Sequence, residues 1–446
     1  MNIIIAGDNE IGLYLAKIFS SDNHNITVIN HNEEVIKNLE FRNDVLTIHG
    51  NSSDISTLRD AKVENADLLI SVFHEEKDNI TTGILGKKLG AKKVIARINN
   101  LEYLLPENRE IFKSLGIDEI LCPEKIAANE IVRLLNIPAA IESFNFSDGK
   151  LSLFMVRLEK NSPVIGKSLI EIARDYPELD FRAVAIYRNS KTIIPKGNDI
   201  FYENDLAYVI TKSSKTNEII KLSGKEIYSI NNVMIVGGGR IGKITAQNIE
   251  NNLSVKLIEN SYDRCMVLTE HLTNTLIIKG DGRNFQLLEE EEIRGMDAFI
   301  AVTEDSETNI FTCLMAKRLG VKKTIALVEN IDYFDLSHNI GIDTIINKKL
   351  ITAGYIARFT KSAEVSALKY LSGVDADAME FIVRKDAKIT KKSIFELNFP
   401  KGAIIAGIVR DDKSYIAVGN MQIQENDRVV VFSLPDCINE IEKFFK

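Results

Sequence analysis

Short runs of apolar and β-branched residues punctuate the first part of the chain at intervals too wide for hairpins. NIIIA is followed by a helical segment from Ile11, then ITVI, a helix over Glu33 to Leu39, VLTIHG, DLLISV, a further helix and KVIARI. Brief apolar runs separated by helical stretches are the pattern of parallel strands buried on both faces of a sheet. The pattern predicts a doubly wound α/β unit.

The same order returns as VMIV, VKLIE, TLIIKG, DAFIAV and KTIAL. Gly7 and Gly237, Gly12 and Gly242, Gly50 and Gly280, Asp67 and Asp297, Asn79 and Asn309, and Gly90 and Gly320 all stand 230 positions apart. A register held that long marks a duplication. Each unit is followed by a different kind of segment. Residues 151–212 carry LSLFMVRL, RAVAIYR, KTIIP and LAYVIT, and 379–434 carry MEFIVRK, AIIAGIVR, SYIAV and RVVVFSL. These predict small α+β domains, and GKSLIEI pairs with KKSIFEL as YENDLAYVIT pairs with QENDRVVVFS. The plan is N1 over 1–137, C1 over 138–224, N2 over 230–365 and C2 over 366–446. Between N1 and C1, Ile126, Ile131, Leu134 and Leu135 form an apolar stripe at helical spacing. Its counterpart, Lys348 to Leu371, reads as longer. Both are expected to be crossover helices, packed on a neighbouring subunit or on their own domain, with the subunit interface favoured.

The strand-to-helix turn of N2 reads GGGRIG: Gly237, Gly238, Gly239, Arg240, Ile241 and Gly242. In a dinucleotide-binding fold the first glycine permits the tight turn, the second lets backbone approach a pyrophosphate, and the third lets helix pack on strand. The helix N-terminus then faces the phosphates. Seventeen residues on, Glu259 ends the second strand, where a carboxylate accepts from ribose hydroxyls and repels a 2′-phosphate. Asp281 and Gly282 lie at the end of the third strand, and Thr303, Glu304 and Asn309 follow the fourth, all at the carboxyl edge where such sheets bind ligands. Each also reads as a cap of the following helix.

The N1 loop is GDNEIG: Gly7, Asp8, Asn9, Glu10, Ile11 and Gly12. Asn9 replaces the middle glycine and Asn30 the ribose carboxylate, while Asp8 and Glu10 add negative charge at a helix N-terminus, which repels phosphate. This predicts a weakened pocket filled by its own side chains. Arg97, at the end of KVIARI, reads either as a phosphate contact or as a solvated strand end.

Composition narrows the function. Of 446 residues, 55 are Lys or Arg and 63 Asp or Glu, giving a net charge of −8 without a long basic run, so nucleic acid is an unfavourable partner. The apolar runs fall far short of the roughly 20 residues of a spanning helix, and the start, MNIIIAGD, has no signal-peptide pattern. A cytosolic location is expected. Cys122, Cys265, Cys313 and Cys437 form no metal or disulfide pattern and read as buried free thiols. The six histidines share no motif, and no nucleophile elbow or Walker loop appears. The expectation is nucleotide binding without catalysis or metal.

The domain order, the paired loops AGDNEIG and VGGGRIG, the stretches LGAKKVIARINN and LGVKKTIALVEN, and GIDEILCPEKIAANEI together resemble the TrkA family of Trk system potassium uptake proteins. The resemblance covers essentially the whole chain. It implies duplicated RCK domains, TrkA-N followed by TrkA-C, in a regulatory subunit peripheral on the inner face of the cell membrane. It further implies a homotetramer presenting a ring of eight RCK domains to a TrkH or TrkG type potassium translocating subunit. ATP, ADP and NADH are the implied regulatory ligands, with no catalysis. In N2 the family's site falls on Gly237 through Gly242, Glu259, Asp281, Thr303 and Glu304; in N1 it falls on Gly7 through Gly12, Asn30, Phe73, His74 and Arg97. Family members commonly have glycine at Asn9 and an acid at Asn30. ATP and NADH stay open, since both present the same adenosine and diphosphate. Two other readings are a soluble nucleotide sensor of another transporter and an NAD-dependent oxidoreductase.

Overall fold

The computed structural model describes residues 1–446 apart from 22–23, 43–44, 190, 331–332, 334–339 and 373, and apart from the side chains of 21, 38 and 40–42. Contacts divide it into two units, residues 1–126 with 349–356, and residues 127–348 with 357–446.

In the first unit the apolar runs form a wholly parallel sheet from β1 (Asn2–Ala6), β2 (Asn25–Asn30), β3 (Leu46–His49), β4 (Leu68–Ser71), β5 (Val94–Arg97) and β6 (Glu119–Leu121). The order is β3-β2-β1-β4-β5-β6, with Ile3 opposite Ile26 and Leu68. The strand order reverses at β1, so the crevice beyond the carboxyl ends of β1 and β4 is the place for a ligand. Ile4, Leu69, Val94 and Ala96 are sealed on one face by Phe112 and Ile117.

The second unit repeats this sheet with β12 (Asn232–Val236), β13 (Ser254–Glu259), β14 (Thr275–Lys279), β15 (Ala298–Ala301), β16 (Lys323–Leu327) and β17 (Thr344–Ile346), in the order β14-β13-β12-β15-β16-β17. Met234, Phe299 and Ala326 pack against Cys313 and Ala316 of the helix Ser306–Arg318. Both Rossmann-like domains have the fold expected of a doubly wound pattern.

The small domains are antiparallel. C1 comprises β7 (Glu142–Phe146), β8 (Leu151–Arg157), β9 (Phe181–Arg188), β10 (Lys191–Ile193) and β11 (Leu206–Lys212), ordered β10-β9-β11-β8-β7. C2 has β18 (Val365–Tyr370), β19 (Asp377–Ile382), β20 (Ala403–Arg410), β21 (Lys413–Ile416) and β22 (Arg428–Ser433), ordered β18-β19-β22-β20-β21. Read from opposite ends the two orders are the same topology. A bidentate pair staples the same turn in each, Arg188 to Asp205 at 2.6 Å and Arg410 to Asp427 at 2.8 and 2.7 Å. The sheets share one core, in which Leu153, Met155, Tyr208 and Ile210 of C1 meet Ala378, Ala406, Val430 and Phe432 of C2. β7 and β18 are strands that the periodicity does not predict.

The crossover helices depart from expectation. Pro123–Asn136 has Ile131, Leu134 and Leu135 buried, and its residues from Ala127 belong to the second unit. Lys348–Ala357 ends well before Leu371, and its residues 349–356 pack in the first unit, where Tyr355 Oη donates to Glu119 Oε1 at 2.9 Å. Ile131, Leu134 and Leu135 are thus covered within the chain, while Ile126 is only partly buried.

Among the described residues no helix is long and apolar enough to cross a membrane, and no cluster of His, Cys, Asp and Glu is arranged to hold a metal ion. All four cysteines are free thiols; Cys437 is only partly buried.

Candidate functional site

The N2 loop leaves β12 at Gly237, whose φ of +107° lies in the left-handed region. A Cβ there would lie 2.8 Å from the carbonyl oxygen of Val302, so neither the turn nor the neighbouring strand admits a side chain. The helix Arg240–Ile249 begins immediately afterwards, and a Cβ at Gly242 would strike the Gly237 carbonyl. Helix and loop are therefore in backbone contact. Gly239 is the N-cap, and a Cβ added to it would meet nothing within 4 Å. Among the described residues no side chain caps this helix, so its first N–H groups point toward open space.

That space is a cavity of about 390 Å³ at the carboxyl edge of β12, β13, β14 and β15. Glu259 closes one side. Its side chain is only 4% exposed, and its two oxygens accept from Gly238 N and Ser261 N, each at 2.8 Å. The carboxylate thus shapes the loop, and its remaining lone pairs are available to hydroxyl donors. Asp281 and Gly282 form the rim opposite. Arg283 grips Asp281 with Nε at 3.1 Å from Oδ1 and Nη2 at 2.8 Å from Oδ2, which holds that carboxyl below its usual range. Thr303, Glu304 and Asp305 complete the wall, and Asp305 caps the helix Ser306–Arg318 through Thr308 N at 2.5 Å.

Five residues placed at this site by sequence stand off its wall, Gly238 among them, whose N–H is held by Glu259. Asn309 is 1% exposed, and all its polar atoms are engaged: Oδ1 accepts from Thr303 N and Oγ1, and Nδ2 donates to Thr303 O and Leu327 O. It stitches the ends of β15 and β16 together from behind. Ile241 is buried, Gly242 lies beneath the loop, and Arg240 is exposed without lining the cavity. Two cations missed in the sequence do line it, Arg264 and Arg283. Arg264 sits in the first turn of the helix Tyr262–His271, with Nη1 3.9 Å from Glu259 Oε2. A basic residue one turn after the ribose acid was the available signal.

The N1 loop is satisfied internally. Asn9 is buried, and its Oδ1 accepts from Ile11 N at 3.0 Å and Gly12 N at 3.2 Å, while its Nδ2 donates to Val72 O. The carboxamide therefore takes N–H groups that N2 leaves uncapped. Asp8 Oδ1 accepts from His74 N at 2.9 Å, Glu10 pairs with Lys349, and Asn30 donates to Gly7 O at 2.9 Å. Phe73 is a core residue. Arg97 is neither solvated nor directed at a ligand. It is 4% exposed and pairs with the equally buried Glu124 at 2.8 Å.

Against this geometry the relatives are informative. Residues 3–123 and 233–348 match the TrkA-N domain, and residues 153–224 and 378–446 match the TrkA-C domain. A Trk system potassium uptake protein TrkA homolog of Archaeoglobus fulgidus is 33% identical, with each chain covered in full. The Trk system potassium uptake protein TrkA of Vibrio alginolyticus is 31% identical, over 100% of this chain and 99% of its own. Among solved structures, a GsuK channel bound to NAD superposes with a TM-score of 0.62 at 18% identity, covering 100% of this chain and 78% of that one. That last likeness is one of fold. Both named relatives are potassium uptake proteins. With both domain types matched twice and full-length relatives above 30% identity, the chain belongs to the TrkA family of Trk system potassium uptake proteins.

Proposed function

We propose that N2 is the nucleotide-sensing site of a Trk-type potassium uptake system, and that this chain is its regulatory subunit. The observation that carries the reading is the uncapped N-terminus of Arg240–Ile249, open at Gly239 onto the 390 Å³ cavity beside Glu259. An anion is the natural partner of such a terminus. Its N–H groups would take phosphate oxygens, with Arg264 and Arg283 adding charge. Glu259 would accept from ribose hydroxyls while still holding Gly238, and the base would lie toward Asp281 and Gly282. These residues fit NAD(H), ATP or ADP alike. The fold shared with an NAD-bound channel supports that ligand class.

The ligand serves as a signal, so the chain's task is to bind it unequally in two conformations; a ligand shifts an equilibrium only by that difference. The partner in this reading is a TrkH or TrkG type membrane subunit, engaged from the cytoplasmic side by a homotetramer. The domain bounds proposed with this reading are 1–137 for N1, 138–224 for C1, 230–365 for N2 and 366–446 for C2.

Isothermal titration of the full-length protein with ATP, ADP, NADH and NAD tests the site. About one site per chain, abolished by Gly239→Asp, is expected, because a carboxylate placed there meets the phosphates. Nucleotide binding left intact by Gly239→Asp and by Glu259→Ala would sink it. Co-purification with a multi-spanning membrane protein tests the partner.

A further inference from the structure

A second cavity, of about 600 Å³, opens at the opposite, amino-terminal edge of the N2 sheet. Its wall joins three segments: residues 138–141, the C1 strand end with the 225–228 connector into N2, and the starts of β16 and β17. We propose that this cavity is a second anion site, independent of the nucleotide pocket, which takes a small phosphate-bearing anion and ties the C1–N2 connector to the sheet.

Charge is the first argument. Five cations line the cavity against three carboxylates, in a chain whose net charge is −8. Lys317 is neutralised by Asp343, at 2.7 Å from both oxygens, and Lys225 lies 3.9 Å from Glu159. Arg157 and Lys322 make no side-chain hydrogen bond or ion pair among the described residues. Two cations thus converge on one cavity, with Glu226 the remaining carboxylate on its wall.

The second argument is Lys323. It is 1% exposed, with Nζ donating to Ala140 O at 2.6 Å and Thr344 Oγ1 at 2.8 Å. An ammonium has three hydrogens, so one is left for the cavity. Burial pushes this group down to about 7, with Lys225 and Lys317 adding to the effect against Asp343. A bound anion would hold the proton on it.

The third argument comes from the repeat. Lys92, the N1 counterpart of Lys322, donates to Asp67 at 2.7 Å. In N2 the corresponding Asp297 accepts from Asn231 N and Asn232 N through Oδ2 at 2.9 and 3.0 Å, much as Asp67 Oδ2 accepts from Asn2 N, but Lys322 stands 5.5 Å from the Tyr228 ring centroid instead of pairing with the carboxylate. The ion pair of one copy is released in the other, on the side where the cavity lies.

The test uses the full-length chain carrying Gly239→Asp, so that the N2 loop does not contribute, and titrates it with inorganic pyrophosphate, ATP and adenosine. Pyrophosphate and ATP should bind and adenosine should not. Arg157→Gln with Lys322→Gln should weaken both by about tenfold or more, the scale of charge-assisted hydrogen bonds. Lys322 is exposed, so the single Lys322→Gln replaces the double variant if that fails to fold. ATP binding more tightly than pyrophosphate identifies a nucleotide as the source, and equal affinities identify free phosphate. Absence of binding, or binding unchanged in the Lys322→Gln protein, overturns the proposal.

Discussion

The carboxamide oxygen of Asn9 lies 3.0 Å from the backbone nitrogen of Ile11. At the same place in the second copy stands Gly239, with no side chain and no cap. One atom pair thus separates a helix terminus that has satisfied itself from one that has not, since the orphan N–H groups of a helix take whichever acceptor reaches them first.

Reversing the substitution should therefore open N1. Asn9→Gly replaces an N-cap by a residue only a few tenths of a kcal/mol worse, and Asn30→Glu restores an acid at the end of β2. The double variant should raise nucleotide stoichiometry from about one to about two per chain, as an uncapped helix N-terminus becomes available. Calorimetric site counts check this. A count that stays at the wild-type value would mean Asp8 and Glu10 exclude phosphate by charge alone.

The repeat and both parallel sheets were legible because apolar runs buried on two faces need no partner to be recognised. β7 and β18 were not, since ESFNF and VSALKY interleave polar residues and follow directly on helices. Edge position placed Asn309 at the ligand side of its sheet, and the family resemblance placed Phe73 there, yet one stitches strand ends and the other fills the core. Chain position does not say whether a side chain at a strand end turns outward or back. Arg97 shows the same limit: its partner Glu124 lies in the next βα unit, a distance no local pattern spans.

Arg97 and Glu124 form a buried pair whose worth is mostly the cost of separating it. Glu124→Ala should destabilise the first unit by about 3–5 kcal/mol, because a buried guanidinium is left without a counter-charge. Arg97→Met with Glu124→Leu should recover most of the loss. Thermal midpoints of Arg97→Met, Glu124→Leu and their double, taken as a mutant cycle, check the coupling. Additive losses would show that the pair does not act as one.

Lys369 is the counter-ion of two buried carboxylates, with Nζ 2.7 Å from Glu130 and 3.0 Å from Glu142. Burial alone would lower its affinity for a proton, but the two acids overcome this and raise it. A raised lysine stabilises the fold below its ordinary pKa, and that contribution is lost as pH climbs through the folded value. Glu142 keeps Tyr208 Oη at 2.5 Å as a second partner, whereas Glu130 has Lys369 alone among the hydrogen bonds at its carboxylate in the described residues. Lys369→Met should therefore be strongly destabilising near neutral pH. Adding Glu130→Gln should restore more stability than adding Glu142→Gln, as read from thermal midpoints. The reverse order would place the main cost at Glu142.

Lys323 runs in the opposite direction. Its folded value of about 7 lies below its ordinary 10.5, so between those limits the unfolded chain keeps a proton that the native chain has released. Stability attributable to this group must rise with pH across that window, by up to about 1.4 kcal/mol per unit. The groups around it are the carboxylates Asp343 and Glu159, the amines Lys225 and Lys317 and the Tyr228 phenol, so the informative quantity is the difference between wild type and Lys323→Met. The variant should gain midpoint over wild type at pH 7 and lose that advantage only as pH approaches 10.5, where the unfolded lysine releases its proton too. Excess pyrophosphate should extend the wild-type penalty-free range downward, because a bound anion stabilises the protonated lysine. A wild-type and Lys323→Met pair with parallel pH profiles would show that the ammonium is solvated in the folded state.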